Sequence, residues 1–151
     1  MTEDDLQVFI DGIIRYFSYT TEQLVTVETP YLAENRSPVA MDYTGMIGVA
    51  GPVKGCVYVT APRALLTNLL IAGGEADTSE DNLVDLVGEV ANTIAGNARR
   101  ELGKEFLISV PMVVEGAPSH IHLPQEQRSY VIPLSWRNYQ AAVVISLSDS
   151  R

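Results

Sequence analysis

The segment from about Glu80 to Leu102 constrains the fold more than any other part of the chain. At ~100° per residue, with Asp85 at the zero of the wheel, Leu83, Val87, Val90, Ile94 and Ala98 all fall within ~40° of the opposite side. A clean apolar stripe of that length needs a sheet or another helix to cover it, so the chain must build a substantial core around it. Ser79 is a candidate N-cap and Gly103 closes the helix. The zero side carries a second stripe: Glu89 at about +40°, Asn92 at about −20°, Gly96 at about +20° and Arg99 at about −40°.

The remaining sequence supplies what the helix can pack on. Residues 2–19 read as a helix, with Thr2 as cap, acids in the first turn and an apolar stripe through Leu6, Phe9, Ile10, Ile13, Ile14 and Phe17. The run from Gln23 to Leu32 turns β-branched and reads as a short strand, with Pro30 favouring an edge or an end. Strands are expected over about 40–50 and 54–61, joined by the turn signal "GPVKG". Gly45, Gly48 and Gly51 suggest close backbone approach or bulging there. Pro62 opens a helix to about Ala72, which Gly73 and Gly74 end. Strands near 108–115, 130–135 and 139–148 complete an α+β pattern with a mostly antiparallel sheet and long helices packed on it. There is also an internal echo: "EDDLQVFIDGIIRYF" lies on "EDNLVDLVGEVANTI", with Gly12 opposite Glu89 and Arg15 opposite Asn92.

Composition narrows the functional classes. Length suits one domain over residues 1–151, and a net charge of −9 argues against a nucleic-acid partner, which needs clustered Lys and Arg. Cys56 is the only cysteine, so no internal disulfide forms, and a buried, inert thiol is expected. The acidic N-terminus lacks the features of a signal peptide, and no apolar run approaches the ~18–20 residues of a membrane span. A cytoplasmic protein is the expectation.

The polar stripe has a plain reading as the wet side of an amphipathic helix. Two details favour a contact face. Asn is a poor helix-interior residue, yet Asn92 and Asn97 both occur here. Gly96 costs about 1 kcal/mol relative to Ala, and leaves a bare gap beside Asn92. Glu89 and Asn92 stand three residues apart, close enough to act on one target.

The run "DLVGEVANTIAGNA" resembles the signature segment of the CheC/CheX/FliY family of chemotaxis phosphatases, with Asp85, Glu89 and Asn92 at its acid-x-x-x-Glu-x-x-Asn positions. "TPYL", "GMIGVAGPVKGCVYV", "ISVPMVVEG" with "HIHLP", and "VIPL" extend the resemblance to the CheX branch across nearly the whole chain. It implies a CheC-like fold akin to a duplication, and a phosphatase of a CheY-like response regulator. It also implies one active face per chain, because Gly12 and Arg15 leave the first helix inert, and a homodimer. The family chemistry gives Glu89 and Asn92 the catalytic positions, Glu89 gripping a lysine of the partner and Asn92 placing water. Asp85 and Gly96 would be partner contacts. No metal site is expected in this chain, since the regulator would bring Mg²⁺.

That chemistry is physically reasonable. Acyl phosphate hydrolysis passes through a loose transition state and demands little early proton removal from water. A carboxamide both donates and accepts, so it orients water without the repulsion a carboxylate would exert on phosphoryl oxygens. The alternative is a catalytically silent module that binds or sequesters a regulator. The intact Glu89 and Asn92 disfavour it. His120 and His122 lack an evident third metal ligand, Trp136 and Tyr139 read as packing or interface groups, and Arg99-Arg100 complement the helix dipole. "AGGEAD" lacks the rest of a phosphate loop.

Overall fold

The computed structural model describes residues 1–116 and 121–149. Helix α1 spans Glu3–Thr21 and begins with a capping box: the Asp5 backbone N–H donates to Thr2 Oγ1 and the Thr2 N–H to Asp5 Oδ2, both at 3.1 Å. Strands β1 (Thr26–Val27) and β2 (Tyr31–Glu34) follow, then the hairpin of β3 (Tyr43–Ala50) and β4 (Val53–Ala61). Helix α2 (Arg63–Ala72) and helix α3 (Glu80–Leu102) come next. Short strands β5 (Leu107–Ile108) and β6 (Met112–Glu115) lead to a second hairpin, β7 (Arg128–Trp136) and β8 (Tyr139–Asp149). Among the described residues these eight strands form one sheet in the order β1-β7-β8-β4-β3-β5, with β2 also beside β7 and β6 beside β3. Every pairing is antiparallel. The α+β expectation holds.

Two expected strands are each split in two, for the same reason at both sheet edges. From Val27 to Tyr31 is four steps, while their partners Leu134 and Val131 are three apart. From Ile108 to Met112 is again four steps, opposite three from Val49 to Met46. Each edge thus carries one extra residue, a bulge, with a proline (Pro30 or Pro111) directly before the strand resumes.

The central strands bury both faces, as their alternation shows. Val57, Val59, Val143 and Ile145 join the helix-side core with Phe9, Ile13, Val87 and Ile94, whereas Tyr58 and Val144 point to the other face. Ile121 and Leu123 cover that second face. The amide of Asn35 ties the covering loops to the sheet: its Nδ2 donates to the Pro124 carbonyl at 2.8 Å, and its Oδ1 accepts from Ser129 Oγ. Among the described residues no helix is long and apolar enough to cross a membrane.

Candidate functional site

Helix α3 has the length and boundaries its apolar period implies, and it is fixed at three levels. At its first turn the Tyr43 hydroxyl donates to Glu80 Oε1 at 2.9 Å, with Arg63 Nη2 3.8 Å from the same oxygen. In the middle, Gly45 of β3 lies against the helix backbone. A Cβ there would drive into the Val87 carbonyl, and Gly88 packs its bare face near Pro111 and Val113. At the last turn Arg99 Nε donates to the Phe106 carbonyl at 3.0 Å, and the Gly103 N–H caps the Arg99 carbonyl. Ser79 is the N-cap residue, but its side chain makes no capping hydrogen bond, so that expectation is corrected. Its backbone N–H is instead held by Asp77 Oδ1 at 2.9 Å.

Such anchoring presents one face of α3 to solvent in a defined orientation. Leu83, Val87, Val90, Ile94 and Ala98 are buried, while Asp85, Glu89, Asn92 and Arg99 are exposed and Gly96 is half-buried. The sequence stripe is therefore one surface. Among the described residues the side chains of Asp85, Glu89 and Asn92 make no hydrogen bond or ion pair. Around Gly96 no atom lies within 4 Å of where a Cβ would sit, so the gap beside Asn92 is open.

Helix α1 runs antiparallel alongside, with Gly12 against Asn97 and Tyr16 near Glu89. Burial pushes the Tyr16 phenol up to about 12; Glu89 adds to that rise and a hydrogen bond from Thr20 opposes it. Tyr16 thus stays neutral beside Glu89 at ordinary pH. Asn97 does not belong to the contact face that its residue type suggested. It is 5% exposed, and its Oδ1 accepts from Arg15 Nη1 at 2.6 Å. The sequence reading missed this pair, although Asn97's position at about +120° already set it off the stripe. Gly12 and Arg15, at the echoing positions in α1, are both occupied with Asn97.

Elsewhere, burial pushes the Cys56 thiol up to about 11, which leaves it largely protonated and unreactive at neutral pH. His122 is exposed; His120 lies outside the described residues. Among the described residues no group of three or more His, Cys, Asp or Glu could hold a metal ion. Trp136 is buried against Phe17, with ring centroids 5.8 Å apart, and the Tyr139 hydroxyl lies 3.2 Å from Asn68 Nδ2. Both are packing groups.

The sequence profile described as chemotaxis phosphatase CheX matches residues 43–135, well over half of the chain and including the exposed stripe of α3 from Asp85 to Arg99. The chain belongs to the CheX family. Solved structures share the fold over nearly the whole of the chain. A CheC-like superfamily protein from Shewanella sp. PV-4 is 25% identical, covers 98% of this chain and 99% of its own, and superposes with a TM-score of 0.83. The chemotaxis protein CheX from Vibrio vulnificus is 22% identical over 96% of this chain and 99% of that one, with a TM-score of 0.82. A chain from the CheX–CheY–BeF3–Mg²⁺ complex of Borrelia burgdorferi is 18% identical, with coverage of 98% and 100% and a TM-score of 0.79. No curated protein matches the sequence.

Proposed function

We propose that this CheX-family chain hydrolyses the aspartyl phosphate of a CheY-like response regulator by inserting the Glu89–Asn92 face of α3 into the regulator's phosphorylation site. The observation that carries the reading is the state of those two side chains. They stand one turn apart, exposed and unengaged, on a helix clamped to the sheet at both ends and at Gly45. Residues kept for the fold would be buried or bonded, as Asn97 is. The solved complex of a structurally similar CheX with CheY supports the choice of partner.

In this reading Glu89 pairs with a lysine of the regulator. Desolvated in the interface, that pair fixes the register far better than an exposed ion pair would. Asn92 then orients a water in line with the phosphorus–oxygen bond to be broken, one amide atom accepting from the water and the other donating. Asp85, one turn earlier, contacts the partner, and Gly96 lets its backbone approach. The regulator supplies Mg²⁺. The protein acts as a homodimer, for which exposed Tyr31 and Leu32 on edge strand β2 offer apolar pairing surface.

The test adds a catalytic amount of the protein to phosphorylated CheY-type regulators of the same organism and follows phosphate release. Multiple turnovers above the spontaneous rate are expected for at least one regulator. Binding without acceleration would instead make the chain a sequestering module.

A further inference from the structure

We propose that Arg15, held in place by Asn97, is a specificity residue: its guanidinium receives a carboxylate of the docked regulator, one step along the interface from the Glu89–Asn92 contact. The inference deepens the phosphatase reading and rests on its docking face.

Four observations carry it. First, Arg15 passes over its local partner. Asp11 is four residues earlier on the same helix, the spacing at which an acid and an arginine ordinarily pair. Asp11 Oδ1 instead accepts from Gln7 Nε2 at 2.8 Å, and Arg15 turns across to the neutral amide of Asn97 at 2.6 Å. Second, the guanidinium is fixed without being neutralised. Among the described residues no carboxylate pairs with Arg15, and a guanidinium with five donors keeps several free for a bidentate carboxylate. Gly12 makes the arrangement fit, since a Cβ there would stand 3.0 Å from Asn97 Nδ2.

Third, the location borders the docking face: Asn97 lies off the exposed stripe, but Arg15 itself is exposed and the adjacent Tyr16 lies near Glu89. Asn97 adjoins Gly96, whose surroundings are open, and lies about 7.5 Å along the helix axis from Asn92. Fourth, the face changes sign along its length. Asp85 and Glu89 lead, Asn92 and Gly96 are neutral, and Arg99 and Arg100 end the helix with Arg15 alongside. Three of the ten basic residues of a chain with net charge −9 therefore gather towards the C-terminal end of α3. The partner that fits offers a cation at one end and a carboxylate at the other, and cannot dock in reverse.

The experiment measures steady-state dephosphorylation of a phosphorylated CheY-type regulator, and binding of the same regulator loaded with beryllofluoride and Mg²⁺. Arg15→Ala should raise KM and Kd on the order of tenfold, leave kcat within about twofold, and flatten the salt dependence of binding. Asn97→Asp is the decisive companion, because it keeps an acceptor for Arg15 and the contact between α1 and α3 while cancelling the charge. It should raise KM and Kd as Arg15→Ala does, with an unchanged or higher melting temperature. A purely structural role predicts altered melting with unchanged KM and Kd in both variants, and overturns the proposal. So does a fall in kcat at constant KM, which would put Arg15 on the phosphoryl group itself. The binding arm needs no turnover. Wild-type binding without hydrolysis contradicts the phosphatase reading yet still reports on Arg15, whereas equal Kd values overturn the Arg15 role and leave the phosphatase reading standing.

Discussion

Asn92 and Asn97 are the same residue type, five positions apart on one helix, and their surroundings give them opposite work. Asn97 is buried and bonded to Arg15, so its amide is spent on joining two helices. Asn92 is exposed and unengaged, available to a water or a partner. Gly96 stands between them, and no contact within the fold requires it to be glycine. Gly96→Ala should therefore raise stability by about 1 kcal/mol in chemical denaturation, or roughly 2–4 °C in melting temperature. The same methyl should raise KM for the regulator by filling the docking gap. An unchanged or lowered stability would mean that Gly96 serves the fold after all. Wheel arithmetic found the stripe from the sequence alone. It also set Asn97 off that stripe, but could not name its partner, which lies 82 residues away on another helix.

At the scale of elements, the site is a matter of how α3 sits on β3. The boundaries of α3 were legible because its apolar period, its first-turn acids and Gly103 all agree. The split edge strands were not. Residues 108–115 are a continuous β-like run, and only the pairing partner reveals the extra residue before Pro111. The glycines of β3 signalled close approach, but the sequence could not say that the approaching group is the α3 backbone at Val87. Gly45→Ala tests that contact. Its Cβ cannot coexist with the Val87 carbonyl, so α3 must lift, and a loss of about 1–3 kcal/mol in denaturation is expected. Because Asn92 rides on the same helix, kcat should fall more than stability alone explains at temperatures where the variant remains folded. Wild-type stability and kcat would show that α3 is not held by this contact.

Across the whole molecule, the chain repeats one plan about the central β4–β8 pair. Each half gives a long helix, a bulged edge strand interrupted before a proline, and a hairpin, and each edge strand pairs with the other half's hairpin. The helix echo in the sequence falls in register with that plan, since Glu3 and Glu80 each open their helix. The two halves nevertheless differ at the site. Glu89 and Asn92 face outward in α3, while Gly12 and Arg15 in α1 are turned to Asn97. On the proposed function each chain therefore carries one catalytic face, with no second site to compensate for its loss. The most direct test is phosphate release from the phosphorylated regulator by Asn92→Ala, paired with its affinity for the beryllofluoride-loaded form. A loss of kcat of at least about a hundredfold is expected, in line with removing a group that positions a reactant, with Kd within a few-fold of wild type. Near-wild-type kcat in a variant that still binds would contradict it.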